Sequence, residues 1–260
     1  NSSIIELMTD QLIIALAQIN PTVGDLDGNA ELIRNARRHA AEYAADIVVF
    51  SELVICGYPP EDLVLRPFFQ RQVRTIVESL ASDTADGGPA LLVGAPWIDG
   101  DALYNAALLL DKGEIAAVRF KYCLPNYGVF DEKRVFSAGP LPGPINFRDV
   151  RLGVMVCEDM WTSEVTECLQ ESGAELLVVL NGSPFDILKR EVRLQQSVSR
   201  VTESNLPLIY VNQVGGQDDL VFDGASFVLN TNCSIAVQQP GWEEHLVTTR
   251  WSRMDAGWTC

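Results

Sequence analysis

Histidine is scarce in this sequence, which contains only His39 and His245. Histidine is the usual general base beside a catalytic cysteine and a common zinc ligand. His39 lies among arginines in a helical pattern and His245 begins a probable strand, so neither is in a loop where other polar residues converge. The six cysteines form no CxxC pair and no cluster with histidine. These absences disfavour both a cysteine–histidine dyad and a zinc site.

Basic residues are also few, since 19 Lys and Arg face 35 Asp and Glu for a net charge of −16. Nucleic acids and anionic membranes attract basic patches, so neither is an expected partner. No apolar run approaches the roughly 20 residues that cross a bilayer, and the N-terminus lacks the basic segment of a signal peptide. Cysteines without the spacing of a disulfide framework suit a reducing compartment, so we expect a cytoplasmic protein.

No linker, low-complexity run or internal repeat divides the chain. Its 260 residues, 47% of them hydrophobic, are enough to bury one substantial core, which predicts a single domain. Met8 is typical of a natural start. We therefore expect residues 1–7 to be an artificial extension and residues 8–260 to form the domain.

The most informative segment is residues 152–161, Leu-Gly-Val-Met-Val-Cys-Glu-Asp-Met-Trp. The apolar run predicts a buried strand that ends at Cys157, and the Thr-Ser-Glu sequence after Trp161 predicts the start of a helix. A cysteine at such a junction lies on a sharp turn, with its sulfur in the open and backbone N–H groups nearby. That geometry suits a nucleophile. The alternative is a buried structural thiol, the commoner role of a lone cysteine.

If Cys157 is a nucleophile, its base must be a carboxylate or an amine. Glu52 directly follows the mostly apolar run 46–51, and a half-buried carboxylate there has a raised pKa suited to a general base. Lys121 closes the run 115–120, where an ammonium group stabilises an oxyanion and a thiolate. Taken singly, Glu52 is equally a helix cap and Lys121 an ordinary strand-end cation. What favours chemistry is three reactive residue types, each at a strand end.

The ordered trio of Glu52, Lys121 and Cys157 resembles the nitrilase superfamily of carbon–nitrogen hydrolases, and the similarity runs from about Leu12 to His245. Three longer segments resemble one branch of it, the glutaminase domains at the N-terminus of glutamine-dependent NAD+ synthetases. They are Gly-Tyr-Pro-Pro-Glu-Asp-Leu at 57–63, Cys-Glu-Asp-Met-Trp at 157–161 and Asn-Gly-Ser-Pro-Phe at 181–185.

The resemblance implies a chemistry. Glu52 takes the thiol proton, Cys157 attacks the side-chain amide of L-glutamine, and Lys121 with the backbone N–H of Glu158 holds the oxyanion. It also implies a set of substrate-pocket residues. Tyr58, Tyr127 and Phe130 form the walls, Glu132 is a second glutamate near the lysine, Glu158 and Ser183 bind the polar ends of the substrate, and Arg190 or Arg193 pairs with its carboxylate. A surface charge is the alternative for Glu132, and a solvated helix position for either arginine.

The pattern of elements predicts a mixed α/β chain with two sheets, and the resemblance gives the fold as a four-layer αββα sandwich of the nitrilase type. Superfamily members commonly pair through their outer helices, so we expect a homodimer or larger, with helices 163–172 and 187–204 at the interface. Strands are predicted at 12–19, 46–50, 90–95, 103–110, 114–121, 152–156, 175–180, 208–212, 221–229 and 233–237, and further helices at 28–45 and 67–81.

A full synthetase of this branch continues into an ATP-using domain, which the sequence lacks. Gly215 and Gly216 precede an acidic stretch that is ill suited to phosphate, and no Walker-type loop is present. We therefore expect no cofactor for this chain, with ATP, Mg²⁺ and deamido-NAD+ bound only by the missing synthetase domain. Three functions stay open: the glutaminase, a stand-alone amidase acting on another small amide, and a binding module in which Cys157 is a core thiol.

Overall fold

A computed structural model describes residues 10–260, and within them two large β-sheets pack face to face with helices on both outer faces. The predicted start at Met8 and the boundary after residue 7 lie outside the described residues. The first sheet contains β1 (Gln11–Gln18), β2 (Ile47–Val49), β3 (Ala90–Asp99), β4 (Ala102–Asp111), β5 (Glu114–Phe120), β14 (His245–Met254) and β15 (Gly257–Thr259). Its order is β15-β14-β1-β2-β3-β4-β5, with β1, β2 and β3 parallel.

The second sheet contains β6 (Ile145–Phe147), β7 (Val150–Val156), β8 (Leu176–Leu180), β9 (Leu208–Val211), β12 (Phe227–Leu229) and β13 (Ile235–Gln238). Its order is β13-β12-β9-β8-β7-β6, with β7, β8 and β9 parallel. A separate hairpin is formed by β10 (Val214–Gln217) and β11 (Leu220–Asp223). The helices are α1 (Leu26–Glu42), α2 (Pro67–Asp83), α3 (Ser163–Glu171) and α4 (Lys189–Ser204).

Strand β1 shows why four layers form, because both of its faces are apolar. Leu12, Ile14 and Leu16 point into the core between the two sheets, whereas Ala15 and Ala17 point to the core under α1 and α2. A third core lies between the second sheet and the helices α3 and α4. Strands buried on both faces are typical of sheets covered by helices. The predicted αββα sandwich is thereby confirmed.

The predicted helices and most predicted strands are present with shifted ends, but one predicted strand is wrong. The run 221–229 divides into β11 and β12, because Gly224 and Ala225 both adopt positive φ, +63° and +54°, and turn the chain from the hairpin into the second sheet. The short strands β6, β10 and β15 were not predicted. Among the described residues, none of the helices is long and apolar enough to cross a membrane.

Candidate active site

The candidate catalytic residues lie at one edge of the sandwich, where strands from both sheets end. Glu52 follows β2 and Cys157 follows β7, each just past the carboxyl end of a parallel strand. Lys121 follows β5, which runs in the direction of β2 because β3, β4 and β5 are successively antiparallel. The carboxyl ends of parallel strands are where α/β proteins bind ligands.

Glu52 is completely buried, deeper than the half-buried position predicted for it. Its Oε1 accepts hydrogen bonds from Asn105 Nδ2 and Lys121 Nζ, both at 2.7 Å, and its Oε2 accepts the backbone N–H of Gly182 at 2.9 Å. Gly182 belongs to the chain after β8, so this last bond joins the two sheets. A side chain at Gly182 would not fit, because its Cβ would lie 2.9 Å from the Tyr58 ring.

Lys121 is buried between two carboxylates. Its Nζ lies 2.7 Å from Glu52 Oε1 and 2.9 Å from Glu132 Oε1, and the Tyr58 hydroxyl donates to the same Glu132 oxygen at 3.0 Å. Burial raises the pKa of Glu132 to about 7, although Lys121 acts in the opposite direction. Burial lowers the pKa of Lys121, but Glu132 and Glu52 outweigh it and hold that pKa well above its usual range. The lysine is therefore cationic at neutral pH.

Cys157 begins a short 3-10 turn directly after β7 and adopts a φ of +46°, which is rare for a residue with a side chain. The predicted sharp turn is present, but the prediction that the sulfur lies in the open is wrong, because the residue is only 4% exposed. Burial raises the pKa of the Cys157 thiol well above its usual range, Glu52 acts in the same direction, and Lys121 opposes both. The thiol is thus protonated at neutral pH, and a base would have to remove its proton before it could act as a nucleophile.

The predicted wall residues fall into two groups. Tyr58 is buried beside Glu132, with its ring edge-on to Phe222 of the β10–β11 hairpin. Tyr127 is exposed and donates its hydroxyl to both carboxylate oxygens of Glu158 at 2.9 Å. Phe130 packs edge-on against Tyr127 at 5.6 Å between ring centroids. Tyr127, Phe130 and Glu158 therefore belong to one outer wall, above the buried cluster.

Ser183 is buried next to the catalytic edge and is already bonded to Arg193. The guanidinium of Arg193 donates to Ser183 Oγ at 3.1 Å and to its carbonyl oxygen at 2.7 Å, and it pairs with Asp223 at 2.7 Å. The guanidinium of Arg193 is therefore already occupied by contacts within the protein. Arg190, by contrast, is exposed on the first turn of α4.

Lys189, at the start of α4, is a candidate site residue that the sequence analysis did not identify. Its Nζ lies 5.2 Å from the centroid of the Phe130 ring and 5.4 Å from that of Trp161. Burial lowers its pKa, and Cys157 and Glu158 act in the opposite direction. In the sequence, only its position six residues after Ser183 pointed to the site, and the neighbouring Arg190 and Arg193 were considered in its place.

Asn105 and Asp159 were also missed. Asn105 is a fully buried polar residue within the apolar strand β4, a recognisable signal, since strands bury polar groups only with a partner. Asp159 lies in the segment that carries the resemblance, but nothing in that segment indicates what its side chain contacts. Within residues 10–260, no group of His, Cys, Asp and Glu is arranged to hold a metal ion.

The comparisons with known proteins agree with this geometry. The carbon-nitrogen hydrolase family matches residues 13–257, so the chain belongs to this family of enzymes and the resemblance drawn from its motifs is confirmed. The glutamine-dependent NAD(+) synthetase of Rhodobacter capsulatus is 46% identical over 251 residues, which are 96% of this chain and 45% of that protein. The chain thus spans slightly less than half the length of this relative.

Solved structures give the same picture. The glutamine-dependent NAD+ synthetase from Acinetobacter baumannii, in complex with ADP, matches with a TM-score of 0.90 at 35% identity, over 95% of this chain and 47% of that one. An amidase of the nitrilase superfamily from Nesterenkonia sp. AN1 matches with a TM-score of 0.81 at 26% identity, over 93% of this chain and 90% of its own. Another structure of that amidase, 27% identical to this chain, shows acrylamide added to its active site cysteine.

Proposed function

We propose that this chain hydrolyses the side-chain amide of L-glutamine to glutamate and ammonia through a thioester on Cys157. Glu52 has about four acceptor positions and uses three for hydrogen bonds, which leaves one on Oε2 for the thiol proton. Lys121 has three N–H donors and commits two to Glu52 and Glu132, which leaves one for a developing oxyanion. The buried cluster thus supplies a base and an electrophilic donor together.

The reaction follows from these groups. As Glu52 takes the thiol proton, the sulfur of Cys157 bonds to the amide carbon, and the oxyanion is held by Lys121 and the backbone N–H of Glu158. The C–N bond then breaks, and the proton on Glu52 passes to the departing ammonia. Glu52 next removes a proton from water, whose oxygen attacks the thioester. The thiolate of Cys157 leaves with that proton and glutamate is released.

The observation that carries the choice of glutamine is a pair of opposite charges on the outer wall. Glu158 offers a carboxylate fixed by Tyr127, and Lys189 offers an ammonium group against Phe130. An amino-acid head group carries both a positive α-amino and a negative α-carboxylate group, and paired charges recognise both at once. Ser183 remains a candidate partner for the carboxylate. A plain aliphatic amide has no group to pair with either charge.

The wider role follows the synthetase relatives. We propose that the ammonia serves the amidation of deamido-NAD+ by a synthetase domain outside this chain, where ATP and Mg²⁺ would bind. For this chain itself we propose no cofactor, no nucleic-acid or membrane partner, and a homo-oligomer joined through α3 and α4. All six cysteines lie among the described residues and are unpaired, which supports a reducing, cytoplasmic setting.

The experiment that tests the proposal is ammonia release from L-glutamine and from butyramide, which keeps the amide but lacks the head group. We expect wild type to prefer glutamine by more than about 100-fold in kcat/KM, as a site that pairs polar groups rejects a substrate without them. Cys157→Ala should abolish release, whereas Cys168→Ala, a half-buried thiol near Pro142, should leave it unchanged. Release from wild type and Cys157→Ala alike would contradict the proposal.

A second candidate is a stand-alone amidase that acts on another small amide. It is favoured by the Nesterenkonia amidase, which this chain matches over at least nine tenths of both lengths. Its outcome in the same experiment is distinct. Butyramide would then be hydrolysed at least as well as glutamine, and loss of the Lys189 ammonium would leave the rate unchanged.

A further inference from the structure

Asp159 is a buried carboxylate, 1% exposed, whose oxygens are used only by backbone groups in the contacts that the structure gives. Its Oδ2 accepts the N–H of Val156 at 3.0 Å. Its Oδ1 accepts the N–H groups of Tyr122 at 3.0 Å and Cys123 at 2.8 Å. Ionised carboxylates accept such bonds strongly, so one side chain satisfies three backbone donors.

The three donors belong to segments attached to different sheets. Val156 is the last residue of β7, immediately before Cys157, whereas Tyr122 and Cys123 immediately follow Lys121 beyond β5. Asp159 therefore joins the segment that carries the thiol to the segment that carries the lysine. The bond from Gly182 to Glu52 is the comparable tie for the carboxylate.

The conformation of Cys157 makes this tie consequential. A φ of +46° is unfavourable by about 1–2 kcal/mol for a residue with a Cβ, and such conformations persist only where the surroundings hold them. We propose that Asp159 is a positioning residue that holds the Cys157 turn and keeps its thiol aligned with the Lys121 ammonium. The proposal rests on the proposed function, since it takes Cys157 as the nucleophile and Lys121 as the oxyanion donor.

A purely structural role makes a different prediction. The two sheets share an apolar core lined by residues such as Ile14, Val49 and Val154, so loss of Asp159 would not separate them. The structural change caused by losing Asp159 would be confined to the Cys157 turn and to the segment after Lys121. A misplacement of about 1 Å between reacting groups costs on the order of 100-fold in rate without weakening substrate binding equally. A structural role would lower only stability.

The test is Asp159→Asn, which keeps the size of the side chain but presents an N–H to at least one of the three donors. We expect kcat for glutamine hydrolysis to fall by about 10- to 100-fold with KM within about 2-fold of wild type. A second readout is independent of glutamine: addition of acrylamide to Cys157, followed by peptide mass spectrometry. The maximal rate of addition should fall by a similar factor, while the half-saturating acrylamide concentration stays unchanged.

The matched control is Asp46→Asn at the opposite end of the first sheet, where Asp46 Oδ2 accepts the N–H of Ile13 at 2.7 Å. It should lower stability without changing either rate. Wild-type rates in Asp159→Asn, or a change in KM alone, would overturn the proposal. If Asp159→Asn does not fold, Asp159→Glu keeps the charge and displaces the oxygens, and wild-type rates in that variant would overturn it equally. Absence of ammonia release by wild type would contradict the glutaminase while leaving the acrylamide comparison decisive.

Discussion

The parallel strands carry ion pairs at both ends, and the two sets differ in their exposure to water. At the amino ends, Arg148 pairs with Asp46 and Arg253 pairs with Glu175, and these four side chains are between 20% and 38% exposed. At the carboxyl ends, the side chains of Lys121 and Glu52 are both 0% exposed. The same types of charge are thus left near water at one end and fully buried at the other.

This difference in exposure supports the proposal that the carboxyl ends carry the chemistry. Partly exposed pairs lose little hydration and contribute little stability, so they need no special explanation. Removing charges from water costs several kcal/mol per ion, and a core of the same volume without them is often as stable. A buried Glu–Lys–Glu arrangement is therefore best explained by what its charges do to a substrate. Perturbed ionisable groups concentrate at functional sites for this reason.

The largest expected effect comes from removing the Lys121 charge from the buried carboxyl end. Lys121→Met leaves Glu52 and Glu132 buried without their cation, so the free energy of unfolding should fall by about 3–5 kcal/mol. Ammonia release should fall by more than about 1,000-fold, because the oxyanion donor is lost. Lys133→Met, in the same loop as Glu132 but exposed, is the control and should match wild type in both measurements. If Lys121→Met were as stable as Lys133→Met, the buried charges would contribute no more than exposed ones, and burial would not distinguish the two ends.

The next effect concerns substrate binding on the outer wall, and it separates two neighbouring cations. Lys189→Ala should raise KM for L-glutamine by about 10- to 100-fold with a smaller change in kcat, because it removes a contact made equally in the ground and transition states. Arg190→Ala, which removes one of the two arginines that the resemblance offered for the carboxylate, should stay within about 2-fold because that side chain is exposed. A larger increase in KM for Arg190→Ala than for Lys189→Ala would indicate that Arg190, not Lys189, contacts the carboxylate.

A third effect sharpens the comparison through pH. Burial raises the pKa of Glu132 to about 7, well above the roughly 4.3 of a free glutamate, so the folded protein binds this proton more tightly than the unfolded chain. The stability from the bound proton is fully present below about pH 4.3 and is lost as pH rises through about 7. Glu132→Gln stays neutral throughout. Thermal unfolding should therefore show wild type losing stability relative to Glu132→Gln between about pH 4.3 and 7, and parallel curves would refute the assigned direction.

Whether a feature of this site could be predicted depends on how far apart along the chain the residues that form it lie. Glu52, Lys121 and Cys157 each carry a local signal, a reactive group directly after a strand-like run. No local signal shows which residues contact Glu52, because Asn105 lies 53 residues and Gly182 lies 130 residues away from it along the chain. Which of many polar residues meets a given carboxylate is decided by sheet order, which short-range patterns do not encode.

The same reasoning applies to the fold. Strands β1, β7 and β8 were predicted because both of their faces are buried and their apolar runs are continuous. The strand predicted at 221–229 was wrong because its apolar pattern continues through Gly224, whose positive φ turns the chain. Strand β15 has only three residues and owes its pairing to β14, so its sequence alone gives no signal.

The smallest expected effect lies at the amino end and completes the comparison. Arg148→Met keeps the aliphatic part of the side chain near Phe147 but removes the pair with Asp46, so the free energy of unfolding should change by at most about 1 kcal/mol. Because a partly exposed pair is screened by salt, even this difference should shrink between low ionic strength and about 1 M salt, where the Debye length is about 3 Å. The loss caused by Lys121→Met should persist, since buried charges are screened far less. Denaturant unfolding of both variants at the two salt concentrations measures this directly. A salt-sensitive Lys121 variant would mean that water reaches the cluster, and that its burial does not set the two ends apart.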